Sequence, residues 1–178
     1  MRVVWYSLLS TNRHLGKPVL YQPMQSAGRG KIIIDSNVSI GVFPSPGFMS
    51  SYAYLEARNE AASIRIGGGT FINNGFCCIA EHTTVVIGKN CLIGANVEIL
   101  DSDFHGLKLQ DRHTSSPNWA APVLVGYNVF IGSNVRLLKG VTIGAGTVIA
   151  NSSVVVSDLP ANVIAAGVPA RVVRAPPA

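Results

Sequence analysis

The chain is poor in charge and in cysteine, and it has no long apolar run. Asp, Glu, Lys and Arg make up only 13% of its 178 residues, while 48% are hydrophobic. So little charge excludes a chain kept open by its own solvation, and implies that much surface is covered between stacked units or between subunits. Three cysteines are an odd number, which argues against a disulfide framework, and the adjacent pair Cys77-Cys78 fits no zinc spacing. No stretch approaches the roughly 18 apolar residues of a membrane-spanning helix. Val3 to Leu9 is short and lacks a cleavage-site pattern, so no signal peptide is read and a cytoplasmic protein is expected. Aromatic residues are 7%, and no aromatic-and-basic motif or recognition helix accompanies the net charge of +5. Nucleic acid is therefore not an expected partner. The charge fits a solvated basic face or attraction to a polyanionic small molecule.

What the chain does have is a period. Val125, Ile131, Leu137, Ile143, Ile149 and Val155 are six residues apart without exception, and Gly126, Gly132, Gly144 and Ala150 follow four of them. Upstream, Ile87, Ile93 and Ile99 share the spacing, as do Ile66, Ile72 and Cys78, with Ile34 and Ile40 as a first short stretch. The residue four after each aliphatic is mostly small or branched: Cys91, Val97, Val129, Val135, Val141, Thr147 and Ser153. A six-residue period predicts an all-β chain wound as a parallel β-helix of hexapeptide repeats, with both positions pointing inward and stacking along the axis. Lys89, Asn90, Asn128 and Asn134 then occupy outward and corner positions. The domain is expected over 31–174, after a lead segment over 1–30. The register breaks twice, by nine residues from Cys78 to Ile87 and by 26 from Ile99 to Val125. The second break predicts a protruding loop over 106–122, and Pro44, Pro46 and Gly47 mark another excursion over 42–61.

Candidate chemistry sits where the period fails. Continuing the register from Ile99 places Asp103 on an inward small position and His105 on an aliphatic one. Ionisable groups on two consecutive core positions would be costly, so the chain must leave the coil there and aim them elsewhere. His105 is the candidate general base. Asp101, Asp103 and Glu81 are the candidates to orient its ring.

The segment Asp101-Ser102-Asp103-Phe104-His105, then Ala121-Pro122-Val123, the repeats that follow and the closing Ala-Ala-Gly-Val-Pro-Ala-Arg resemble the hexapeptide-repeat acyltransferase superfamily. The likeness is to maltose and galactoside O-acetyltransferases and to enzymes of O-antigen, capsule and polysaccharide biosynthesis, and it covers about residues 30 to 174. It implies a left-handed coil, which the period alone cannot choose because the usual crossover rule favours the other hand. It implies a homotrimer with active sites between subunits, acetyl coenzyme A as co-substrate, no metal and a sugar or nucleotide-sugar acceptor. His105 would be the catalytic base. Asn74 and either Glu81 or His82, with Asp103 nearby, would hold acceptor hydroxyls. Ser133 and Asn151 would contact the coenzyme, and Arg171 and Arg174 would face its phosphates, a task suited to guanidinium. Gly132, Gly144, Ala145 and Ala150 would let an extended pantetheine approach the backbone. The family often has Gly or Ala where this chain has Asn151, and Thr where it has Val156.

Other readings stay open at this point. One is N-acetylation of an amino-sugar nucleotide. A metal-dependent β-helix enzyme would need three converging histidines, for which His82, His105 and His113 are available. A non-enzymatic scaffold gives no reason for the break at His105. Trp119 in the long loop either stacks on a sugar ring or packs the loop against a neighbouring subunit.

Overall fold

A computed structural model describes residues 2–176. The six-residue spacing becomes three flat faces of a triangular coil, each turn of chain contributing one short strand to each face. The first face holds Lys31–Ile34, Ser63–Ile66, Thr84–Ile87, Val123–Val125 and Thr142–Ile143. The second holds Val19–Leu20, Ser39–Ile40, Phe71–Ile72, Leu92–Ile93, Phe130–Ile131, Val148–Ile149 and Ile164–Gly167, with Ala170–Arg174 added antiparallel at its end. The third holds Met24–Gly28, Ala53–Ala57, Cys77–Ala80, Glu98–Leu100, Arg136–Leu137 and Val154–Val155.

Register follows the aliphatic positions. Ile34, Ile66, Ile87, Val125 and Ile143 pair in line up the first face. Ile40, Ile72, Ile93, Ile131 and Ile149 line the second. Leu55, Cys78, Ile99, Leu137 and Val155 line the third. All are buried, as are the small positions Cys91, Val97, Val129, Val135, Val141, Thr147 and Ser153. No single turn could enclose these groups, and stacking buries them as one continuous core.

The corners explain the polar and glycine pattern. Asn37, Asn90, Asn128 and Asn162 turn from the first face to the second, and Asn96 and Asn134 from the second to the third, all with φ between 55° and 61°. Asparagine visits this left-handed region more readily than other side-chain-bearing residues. Gly94 and Gly126 are required for another reason. A Cβ on Gly94 would stand 2.5 Å from the Ser133 nitrogen, and one on Gly126 would stand 2.7 Å from the Ala145 nitrogen.

Coiling starts earlier than the aliphatic period. Val19–Leu20 and Met24–Gly28 already pair with the next turn, so much of the 1–30 lead forms the first rung. The excursion expected over 42–61 ends sooner, because Ala53–Ala57 rejoins the third face. Among the described residues, no helix is long and apolar enough to cross a membrane. The one α-helix among the described residues, α1, is Arg2–Leu8.

Candidate active site

The long loop leaves the coil at the corner between the third and first faces. An antiparallel bridge between Ser102 and Ala120 closes its neck, and two short 3-10 turns, Leu109–Asp111 and Pro117–Trp119, shape it. Asp101 is fully buried at the start of this loop. Its carboxylate accepts from the backbone N–H groups of Glu81 (2.6 Å), His82 (3.2 Å) and Thr83 (2.7 Å), and from the Thr83 hydroxyl (2.9 Å). Asp101 thus fastens the loop to the corner of the turn beneath. The three extra residues between Cys78 and Ile87 supply those donors.

Next to it lies a closed circuit of four side chains. The Ser102 hydroxyl donates to Glu81 Oε2 at 2.6 Å and accepts from the Phe104 N–H at 3.0 Å. Arg58 Nη1 donates to Glu81 Oε1 at 3.1 Å, and the Arg58 guanidinium lies 4.9 Å from the centre of the Phe104 ring. Glu56 holds the far side of Arg58 at 2.9 Å. Phe104 has φ +61°, a conformation that strains a bulky residue and persists only when its surroundings enforce it. The circuit enforces it, and so sets where the next residue, His105, emerges. Glu81 is 3% exposed. Burial pushes its carboxyl up, but hydrogen bonds from Ser102, Ser115 and Arg58, with the guanidinium charge, outweigh this and hold it below the ordinary value.

His105 itself is exposed, and its backbone N–H donates to the Asp103 carbonyl at 2.7 Å. It lines an open pocket of about 520 Å³ together with Asp103, Gly106, Leu107, Arg112 and His113. Both groups expected to leave the core, Asp103 and His105, do so. Asp103 is paired with Lys139 Nζ at 2.6 Å, and the same ammonium donates to the Trp119 carbonyl at 2.7 Å. Trp119 packs inside its own loop: a Cβ on the buried Gly106 would stand 2.8 Å from its ring. The loop is also tied down through Ser115, whose hydroxyl is 3.1 Å from His82 Nε2. Asn59 donates to the other ring nitrogen of His82 at 3.1 Å.

The hexapeptide coil has known counterparts. Residues 122–157 match the family model described as bacterial transferase hexapeptide (six repeats), and residues 84–109 match that of the hexapeptide repeat of succinyl-transferase. The galactoside O-acetyltransferase of Escherichia coli (strain K12) is 33% identical over 173 residues, which is 93% of this chain and 80% of that relative. The chain belongs to the hexapeptide-repeat acyltransferase family. A hexapeptide-repeat acetyltransferase of Vibrio cholerae O1 biovar eltor, solved in complex with acetyl coenzyme A, superposes with TM-score 0.56 at 36% identity, over 63% of this chain and 60% of that one. A polysialic acid O-acetyltransferase structure shares the fold, with TM-score 0.65 at 22% identity over 91% and 83% of the two chains. The coil is left-handed, as in these acyltransferases.

The remaining candidate residues of this acyltransferase lie on another edge of the prism. Asn74, Ser133 and Asn151 are at the corner between the second and third faces, so the whole third face separates them from His105 within one chain. Ser133 and Asn151 are neighbours in successive turns: the Ser133 N–H donates to Asn151 Oδ1 at 2.8 Å. The Ser133 hydroxyl accepts from the Ala95 N–H at 3.1 Å, which leaves its proton free to donate. Arg171 and Arg174 are exposed on the closing antiparallel hairpin.

Two expectations need correction. Asn74 does not offer its carboxamide to an acceptor. It is fully buried, accepts from the Val42 N–H (3.0 Å) and donates to the carbonyls of Val42 (3.0 Å), Ser45 (3.3 Å) and Pro46 (3.1 Å), so it fastens the 42–52 excursion. Glu81 does not face the pocket either, because Arg58 and Ser102 engage both of its oxygens. Gly132 and Gly144 are required by coil stacking, because a side chain on either would strike the backbone of the following turn. The structure adds Arg58 and Lys139 to the site and gives Ser102, already part of the quoted segment, a defined role. Arg58 and Lys139 read as ordinary surface cations, and only folding brings them to the loop.

Proposed function

We propose that this acyltransferase moves an acetyl group from acetyl coenzyme A to a hydroxyl of a sugar or glycan precursor, with His105 as general base. One observation carries the reading: an exposed imidazole stands over an open pocket at the longest break in the coil, on a backbone held by buried polar contacts. A neutral ring takes the acceptor hydroxyl's proton as that oxygen attacks the thioester carbonyl. A contribution of about 10²–10⁴-fold is the usual scale for such a base. The tetrahedral oxyanion would meet the free Ser133 proton. Collapse expels the coenzyme thiolate, which recovers the proton from the imidazolium. Arg171 and Arg174 supply positive charge for the coenzyme phosphates, and Asn151 orients the Ser133 backbone. Asp103, neutralised by Lys139, shapes the pocket floor and has capacity to accept from an acceptor hydroxyl.

His105 and Ser133 are on different edges of one chain, so a working site needs both edges from different copies. That requirement supports a homotrimer, in which each cleft joins the His105 edge of one subunit to the Ser133 edge of the next. The galactoside and polysialic acid acetyltransferases among the relatives support a glycan acceptor.

The test is a panel of sugars, amino sugars and nucleotide sugars incubated with acetyl coenzyme A, following release of free thiol. Transfer to a hydroxyl acceptor, lost by about two to four orders of magnitude in His105→Ala while coenzyme affinity and assembly stay intact, is the expected result. A folded His105→Ala protein acting near the wild-type rate would show that another group is the base.

A further inference from the structure

The charge of this chain is unevenly placed. Residues 1–34 contain Arg2, Arg13, Lys17, Arg29 and Lys31 and no Asp or Glu, while the nine other basic residues balance all nine acidic ones. The whole net charge of +5 therefore belongs to the first rung and its cap. Arg13, Lys17, Arg29 and Lys31 are exposed, and among the described residues none of them forms an ion pair. Leu15 bridges to Ile33, so the segment carrying Arg13 and Lys17 runs beside the outermost strand of the first face.

The same end of the coil is apolar where a solenoid cap should be polar. Helix α1 is held in a fixed orientation: the Arg2 guanidinium donates to the carbonyls of Phe48, Met49 and Ser51, and Tyr6 stacks on Tyr52 with ring centres 4.6 Å apart. With those side chains turned inward, Val4, Trp5, Leu8 and Leu9 fall within an arc of about 140° at 3.6 residues per turn. They are 62%, 60%, 72% and 61% exposed. Met49, beside Arg2, is also exposed.

We infer that the N-terminal end of the coil docks on an anionic phospholipid surface. Aliphatic side chains and a tryptophan on one arc, with unpaired cations in the same first rung of the chain, match an interface of acyl chains beneath negative headgroups. The charge argues against a second copy as the occupant. Two such ends placed face to face would oppose five positive charges with five more, and residues 1–34 carry no carboxylate to offset them.

The experiment is co-sedimentation of the purified full chain with vesicles of 30% phosphatidylserine in phosphatidylcholine, and with phosphatidylcholine alone. Binding to the anionic vesicles that weakens in high salt and is lost on the neutral ones is expected. The triple change Arg13→Gln, Lys17→Gln, Arg29→Gln should weaken binding on the order of 100-fold, at about 1 kcal/mol per basic residue near an anionic surface. Trp5→Ser with Leu8→Ser should release the protein from the anionic vesicles, with circular dichroism and transfer to a soluble acceptor unchanged. Trp5 emission should shift to the blue on vesicle addition, read as the difference between the wild type and Trp5→Phe. No binding to anionic vesicles, equal binding to neutral ones, or binding unchanged in Trp5→Ser with Leu8→Ser would each overturn the inference. A fall in oligomeric mass in that variant, without vesicle binding by the wild type, would assign the face to self-association instead.

Discussion

Among the described residues the His105 side chain has no hydrogen-bond partner, so its placement depends on the residues before it. Ser102 joins the Phe104 backbone to Glu81, and Arg58 joins Glu81 to the Phe104 ring. Arg58 is thus a positioning residue. Arg58→Ala should lower kcat by up to about 100-fold, the scale of a misplacement near 1 Å. KM for acetyl coenzyme A should change little, since the predicted coenzyme contacts lie elsewhere. Arg58→Lys should restore only part of the rate, because an ammonium cannot span Glu56, Glu81 and the aromatic face together. Steady-state kinetics with both substrates varied would separate this from a loss of folded protein. Glu81 adds a pH dependence. Its carboxyl lies below the ordinary value in the fold, so its stabilising contribution is complete above about pH 4.5 and is lost as pH falls through the lowered value. The wild type should therefore lose melting temperature more steeply than Glu81→Gln as pH falls below about 4.5, as thermal scans would show.

At the scale of the turn, stability depends on how closely successive coils approach. Gly94 lies against the Gly132–Ser133 backbone, where a Cβ would stand 2.5 Å from the Ser133 nitrogen and 2.7 Å from the Gly132 carbonyl carbon. Backbone cannot move aside as a flexible side chain can. Gly94→Ala should cost about 1–3 kcal/mol, the usual range for overpacking. It should also reduce acetyl transfer by displacing Ser133. Denaturant melts and rates measured well below the melting range would test the two effects. The corner asparagines behave differently. Asn90 and Asn128 already hold φ near +56°, so Asn90→Gly should be tolerated, whereas a β-branched residue there would be strained.

For the whole molecule, the decisive property is that the groups proposed to act in catalysis lie on separate edges. A stable monomer would bring His105 and Ser133 to no common site. Sedimentation should give a trimer at micromolar concentration. Mixing is the stronger measurement. His105→Ala and Ser133→Ala proteins, each of low activity, should regain activity when unfolded together and reassembled. In a random mixture, on the order of a quarter of the clefts would combine an intact His105 edge with an intact Ser133 edge, given head-to-tail cyclic packing. No gain above the two separate proteins would place both residues of each site in the same subunit.

Much of this architecture is legible in sequence because a repeat reports its own geometry. Position within the six-residue period states how far a side chain lies from the axis, so Ile87, Val125, Ile143 and their counterparts specify the three faces and their register before any contact is known. The same logic exposes Asp103 and His105, because an ionisable group cannot replace an aliphatic one in a stacked core. The period is silent about pairings between polar groups far apart in the chain. Arg58 meets Glu81 across 23 positions and Lys139 meets Asp103 across 36, and neither distance is set by a local rule. It is equally silent about saturation. Asn74 and Glu81 have the right chemistry for a sugar, yet the surrounding backbone and side chains use that chemistry first. The sequence alone therefore determined the coil and where it breaks. Tertiary structure decided which polar groups remain free to act, because that depends on partners that only the wound chain brings within hydrogen-bond distance.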